Sequence, residues 1–433
     1  MKIEISDNKK WQHSLTLKIV LLAVFGVFLL IPLEMIKSII RERLKNSEDV
    51  KKDIAFQWSG QQNICGPILN IPVWIFPSTT DAEPYKIVYH IMPESLIISG
   101  DIQTETRHRS IYQAVVYTAD LSLSGEFIIS DIKIAERNEI LWNESYVTLG
   151  ISDNRGLKGD ISLQIDSDNI EAIPGAEDSD LFTSGITFIS KLSGQKREIP
   201  FVLKFKLSGS ESLQFSPVGK TTKVSLQSPW NSPGFSGNFL PSERSISESG
   251  FNAKWLITNL NRNFPQTWTG RSYVPSNDNF GVDFILPVDH YQKSLRSAKY
   301  GILFIALTFF ALIFVELTTK ENIHLFQYIL VALGLVLFFS LLNAISEHTG
   351  FNMAYFISAS STILLISFFL FTLIKKYRPV LLIFGLLTVL YSFIFILLTL
   401  NEYAYLAGNI GLFVILGVTM ALSVKLNLFS TKT

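Results

Sequence analysis

The chain has 433 residues, with 37 Lys plus Arg against 37 Asp plus Glu and a formal net charge of zero. That balance excludes the basic excess of a nucleic-acid binder, and a single cysteine, Cys65, excludes an intramolecular disulfide framework or a cysteine-cluster metal site. Only 17% of residues are charged and 48% are hydrophobic, where a soluble globular chain carries about a quarter charged, so the composition is that of a membrane protein.

Residues 1–14 read as a cytoplasmic N-terminus. A spanning helix needs roughly 20 mostly apolar residues, and Leu15–Leu33 meets this, with Lys18 near enough to the cytoplasmic end to snorkel. No small-x-small cleavage site follows, and IPLEMIKSIIRERL continues as an amphipathic helix. The segment 15–33 therefore reads as an uncleaved signal anchor rather than a removed signal peptide.

Residues 34–300 hold 27 basic and 31 acidic residues and read as a water-soluble domain. Between 83 and 225, apolar and polar residues alternate between turn signals, as in Tyr85–His90, Gln113–Ser122, Phe127–Ile134, Ile161–Ile165 and Phe201–Leu207. Such runs predict an antiparallel, sandwich-like β domain with one face buried. Cys65 reads as a small buried hydrophobe. Gly60, Gly66 and Pro67 predict a turn before a strand at Ile68–Val73, and Asp153, Arg155 and Gly156 a turn with a local ion pair. Arg244, Trp255, Arg262 and Trp268 suit either an interaction surface, where Trp and Arg are enriched, or a β core. Asp289, Tyr291, Arg296, Lys299 and Tyr300 lie at the domain–bundle junction, where Tyr and basic side chains suit interfacial anchoring.

Five more spans follow within 301–424, at about 301–317, 325–345, 353–374, 379–400 and 404–424, and a tail at 425–433. Lys9 and Lys10, Lys320, then Lys375, Lys376 and Arg378, and finally Lys425 and Lys432 occupy the N-terminus, alternate short loops and the tail. The positive-inside rule then puts both termini in the cytoplasm and 34–300 outside it. The expected fold is an α-helical membrane bundle of six transmembrane helices with a large inserted β-rich extracytoplasmic domain.

No HExxH, GxSxG, Walker A or dinucleotide-binding glycine fingerprint is present. Neither a metal nor another cofactor is implied. The bundle offers the better lead. Glu347, His348 and Glu402 fall on its expected extracytoplasmic rim, and Glu316 near the opposite face, with Lys320 four residues on as a helical partner. Ionisable groups in membrane segments mark sites or polar cavities; the plainer alternative is that these side chains sit among lipid headgroups. Gly334 and Gly385 read as points of close helix packing.

Several strings are specific enough to identify a relative. They include Trp58–Pro72, Arg109–Gly125, Ser152–Leu157, Phe239–Trp268, Phe280–Tyr300, His324–Tyr328, Ser346–Tyr355 and Leu400–Gly408. In this order and over nearly the whole chain, they resemble the CreD family of bacterial inner-membrane proteins. Ser110 stands where that pattern has Gly, and Asn401-Glu402 replaces an acidic pair. The resemblance implies a role in cell-envelope integrity, tolerance to certain colicins and control by a two-component system. It supplies no catalytic residues to carry over.

The leading expectation is a non-enzymatic envelope protein, with membrane lipids and another envelope protein or cell-wall component as partners and no nucleic acid. The alternatives are a small-solute or lipid-handling transporter using the acidic rim, and a cell-wall or lipid hydrolase whose site is assembled from distant residues.

Overall fold

The computed structural model describes residues 15–77, 83–129, 136–176, 181–192, 194, 197–286, 290–319, 323–400, 406–411, 413, 414, 417 and 420. The chain divides into two compact units, residues 1–47 with 288–433, and residues 48–287.

In the helical unit, α1 (Leu15–Phe28) gives way to α2 (Leu30–Trp58) at Leu29. Pro32 is the cause: it has no N–H for the Phe28 carbonyl, and its ring crowds that group. Helical bonding resumes at once, with Leu33 N donating to Leu29 O at 3.3 Å. Helices α3 (His290–Lys299) and α4 (Gly301–Thr319) meet at Tyr300 with a bend of 47°. Gly301 permits a close approach there, since a Cβ would come within 2.7 Å of the Leu33 side chain. Gly350, at φ +76°, is the single link between α5 (Leu325–Thr349) and α6 (Phe351–Ile374), a backbone setting that glycine adopts without a Cβ clash. Left-handed Lys375 ends α6 before α7 (Tyr377–Thr399). The interior is aromatic, with Tyr391 holding its ring 5.0 Å from both Phe304 and Phe338. Among the described residues, a Cβ at Gly334 or Gly385 would meet nothing within 4 Å, so neither glycine marks close packing there.

Among the described residues, four helices are long and apolar enough to cross a membrane, or five if the bent α3–α4 pair is one span. Six were expected. The sixth, 404–424, is described only in part, with residues 406–411 helical.

The second unit is built on two sheets. One has ten strands and carries the order β14 (Pro233–Gly237), β18 (Phe280–Phe284), β12 (Ser212–Phe215), β1 (Gln62–Ile75), β6 (Tyr146–Ile151), β10 (Gly185–Ile189), β9 (Ile173–Pro174). Strands β2 (Tyr85–Ile91) and β5 (Glu139–Ile140) also pair with β1, and β17 (Thr267–Thr269) pairs with β2. The eight-stranded sheet runs β15 (Glu243–Ser247), β16 (Gly250–Thr258), β13 (Thr221–Ser228), β3 (Ser95–Arg109), β4 (Tyr112–Ile128), β11 (Glu198–Ser210), β7 (Leu157–Ile165), β8 (Asp168–Glu171). Alternation is clearest in β13, where Thr222, Val224, Leu226 and Ser228 are buried while Lys223, Ser225 and Gln227 are exposed. Inward side chains of both sheets, among them Leu123, Leu203 and Trp255 from one and Ile68, Val147 and Phe215 from the other, fall into a single hydrophobic cluster.

Several expectations need correcting. The pairings β1·β12 and β13·β3 are parallel, so the sheets are not wholly antiparallel. Phe127 and Ile128 close β4 rather than opening a strand to Ile134, and 130–135 lie outside the described residues. No turn separates Gly66-Pro67 from Ile68; β1 runs straight through them, with a register shift between Cys65 and Ile68. Alternation was read only to 225, yet β14 to β18 follow it. The β-rich unit is also shorter than 34–300, because residues 34–47 continue α2 and 290–299 form α3.

Candidate functional site

Among the described residues, two groups of charged side chains join different helices of the helical unit. In the first, Lys18 on α1 meets Glu316 on α4, with Nζ 2.7 Å from Oε2, and also donates to the Ile323 carbonyl at 2.6 Å. Tyr328 on α5 donates its hydroxyl to Glu316 Oε2 at 2.8 Å, and its ring centroid lies 5.0 Å from the ammonium. The ion pair is largely enclosed, at 19% and 13% side-chain exposure. An enclosed charge is tolerable only when paired and hydrogen-bonded, and this ammonium spends its donors on carboxylate and carbonyl oxygens. Glu316 therefore takes Lys18 as its partner; the expected partner, Lys320, lies outside the described residues.

In the second, Glu347 near the end of α5 accepts a hydrogen bond from the Tyr291 hydroxyl on α3 at 3.3 Å. Arg43 on α2 brings its Nε to 3.8 Å of the same oxygen, Oε1. Two expected groups, the rim carboxylate and the junction tyrosine, thus come together. On the same two helices, Asn343 and Ser346 of α5 and Ser294 and Ser297 of α3 are buried. The Ser346 hydroxyl donates to the Asn343 carbonyl at 2.8 Å. His348 is exposed, as are Arg296 and Lys299 in the last turn of α3, where basic side chains favour the negative end of the helix dipole. Tyr300 is partly buried against the helical core. Glu402 and Asp289 lie outside the described residues. The sequence did not point to Arg43, Asn343, Ser294 or Ser297; a search for buried polar positions at helical spacing from Glu347 and Tyr291 would have found the last three.

In the β-rich unit, three of the four side chains considered for an interaction surface are interior. Trp255 is 2% exposed and donates Nε1 to the Phe239 carbonyl at 3.2 Å. Trp268 packs on His90 with ring centroids 5.3 Å apart. Arg262 is 7% exposed and bonds to the Phe264 and Pro265 carbonyls at 3.1 and 3.4 Å and to the Gln266 side chain. Burial pushes its pKa down to about 10, which leaves it charged at neutral pH, held by neutral acceptors. Only Arg244 is exposed, on β15, with its guanidinium 6.0 Å from the Phe235 ring. Alternation along β16 explains Trp255: it shares the inward face with Ala253 and Ile257.

The remaining motif residues are local fasteners. Asp153 accepts from the Arg155 backbone and guanidinium and from Gly60 N at 3.1 Å, tying the end of α2 to the 154–156 turn. The Arg155 guanidinium, helped by these backbone donors, holds the Asp153 carboxyl well below the usual carboxylate range. Cys65 is buried, and burial pushes its thiol up to about 12. Among the described residues, no three His, Cys, Asp or Glu side chains gather where a metal ion would be held.

Residues 14–429 match the family described as "Inner membrane protein CreD". The chain belongs to the CreD family. It is 32% identical over 350 residues to the inner membrane protein CreD of Escherichia coli (strain K12), across 78% of this chain and 77% of that protein. Among solved structures, an M1 zinc metallopeptidase from Deinococcus radiodurans aligns over 44% of this chain and 42% of its own, at 8% identity and a TM-score of 0.19. A substrate-bound mutant of an M1 zinc metallopeptidase from the same organism gives 7% identity and the same TM-score. Those scores carry no argument about fold or chemistry. Membership of the CreD family, with several apolar helices, makes this a multi-pass inner-membrane protein, and both side-chain clusters fall inside the matched range.

Proposed function

We propose that this CreD-family chain supports cell-envelope integrity by holding a periplasmic β-rich, sandwich-like domain that binds an extended segment of another envelope protein. Its basic short loops support the orientation, with both termini in the cytoplasm and six spans in all. The observation that carries the binding reading is β15. This strand ends the eight-stranded sheet, pairs with β16 alone among the described residues, and has all five residues exposed. Soluble proteins blunt such edges because their unpaired N–H and C=O groups recruit other chains. Here Glu243 is tied to Lys254 and Arg244 lies over Phe235, which leaves Ser245, Ile246 and Ser247 as an uncharged stretch. Strand addition at an open edge is a recurring mode of peptide recognition.

The experiment is in-cell photo-crosslinking from a probe at Ser245, with Ser99 on the same sheet's exposed face as control. A crosslinked envelope protein at Ser245 alone is expected, and Ile246→Glu removes both the crosslink and rescue of envelope permeability in a strain lacking the gene. Equal labelling at both positions, or full rescue by Ile246→Glu at normal abundance, would refute the edge. A second reading, small-solute transport, draws on the charged groups enclosed in the helical unit. Proteoliposomes in which flux of candidate solutes is unchanged by Glu347→Gln would dismiss it.

A further inference from the structure

We propose that α3 and α5 form a binding site for a small monovalent cation of sodium size, built from Glu347, Asn343, Ser294 and Ser297. The inference rests on neither reading above. It starts from spacing: Tyr291 and Ser294 stand three residues apart on α3, and Asn343 and Glu347 four apart on α5, so each pair shares a helix face. The hydrogen bond from the Tyr291 hydroxyl to Glu347 Oε1 brings those two faces together. One turn from that contact lie Ser294 and Asn343, with Ser297 a further turn along α3.

The decisive observation is the state of these polar atoms. Ser294, Ser297 and Asn343 are 1%, 0% and 7% exposed. Ser294 Oγ, Ser297 Oγ and Asn343 Oδ1 have no hydrogen-bond partner among the described residues. Leaving a polar atom so enclosed and unpaired is costly, so three of them on the two helices that the Tyr291–Glu347 bond joins point to a ligand that they share.

Donor chemistry selects that ligand. All four groups offer hard oxygen: a carboxylate, an amide carbonyl and two hydroxyls. Hard oxygen suits alkali and alkaline-earth cations and disfavours zinc or copper, which take nitrogen and sulfur. A divalent ion normally recruits several carboxylates, whereas this set carries one negative charge. Broken membrane helices place such sites at the ends of their half-helices, and Ser297 lies in the last turn before the 47° bend at Tyr300. Arg43 and Tyr291 both approach Glu347 at Oε1. The Arg43 guanidinium and the cation therefore compete for the charge of one carboxylate.

The test uses the full chain purified in detergent, with its melting temperature followed as NaCl replaces choline chloride at constant ionic strength. A saturable rise of about 3 °C is expected with sodium. Asn343→Ala and the double change Ser294→Ala with Ser297→Ala each abolish the rise. Arg43→Gln moves its midpoint at least threefold lower in sodium, because the competitor is gone. If Asn343→Ala does not fold, the double serine change, which loses only two oxygens, decides alone. An equal rise in choline, a rise that survives the serine changes, or a response to pH with none to sodium would overturn the site.

Discussion

Asp153 shows how much one side chain can fasten. It caps the 154–156 turn and accepts from Gly60 N, so it holds the exit of α2 against the rest of the β-rich unit. Asp153→Ala is expected to cost about 1 kcal/mol, the usual loss for a capping side chain. The pH dependence has a definite sign. Because Arg155 depresses the folded carboxyl's pKa, the contribution is complete above the unfolded carboxylate value and is lost as pH falls toward the folded one. Denaturant melts of wild type and Asp153→Asn should therefore differ most near pH 7 and converge progressively below about pH 4. Cys65 gives a second prediction at this scale. With the thiol pushed up to about 12 by burial, the reactive thiolate is scarce at pH 8. A maleimide should leave it unlabelled in the native protein and label it fully in denaturant. The turn around Asp153 and the burial of Cys65 were legible from residue type alone. The buried state of Arg262 was not, because its acceptors are backbone carbonyls and an amide, which leave no charge pattern in the sequence.

Among the elements, legibility followed pattern strength. The long alternating strands β4, β7 and β11 and the apolar helices α5 to α7 announce themselves through period and length. Strand β1 was legible only from Ile68 on: it is buried along most of its length, so its apolar run hides the alternation and Gly66-Pro67 looks like punctuation. Short β14 and wholly exposed β15 have no inward stripe to recognise. The pairing of Lys18 with Glu316 spans 298 positions, and no local spacing rule reaches that far. It also carries the element-scale prediction. Either Lys18→Ala or Glu316→Ala leaves one charge enclosed without its partner, a loss on the order of 3 kcal/mol. Melting in detergent should fall for each single change. The exchange Lys18→Glu with Glu316→Lys should recover part of it, and a double-mutant cycle without coupling would show that the pair does not hold α1 in place.

At the scale of the molecule, uneven charge placement separated a membrane part from a β-rich part before any element was assigned, but it set their border too far out. The reason is that α2 runs unbroken through residue 47, so the charged stretch 34–47 belongs to the helical unit although its composition suits water. The same helix then gives the β-rich unit its first layer. Ile54 packs with Ala114 and Val116, next to Val50 and Trp58. Trp58 donates Nε1 to the Tyr117 carbonyl at 3.3 Å and lies under the Arg107 guanidinium at 4.9 Å.

This arrangement makes residues 48–58 part of the β-rich unit's core rather than a tether, and that can be measured. A fragment of residues 48–287 should give a β-type circular dichroism spectrum and one cooperative melt, since about 240 residues bury enough surface to fold alone. A fragment starting at residue 59 loses the apolar contacts of Ile54 and Trp58, each worth about 1.5–3 kcal/mol if fully buried. Its melting midpoint should fall by on the order of 10 °C. The test separates two accounts of the helix. Equal midpoints would make residues 48–58 a passive connector, whereas a fall, restored by adding residues 48–58 back, would make them structural. The substitution Ile54→Ala in the longer fragment should reproduce part of that fall without shortening the chain, because it removes the side chain that Ala114 and Val116 enclose.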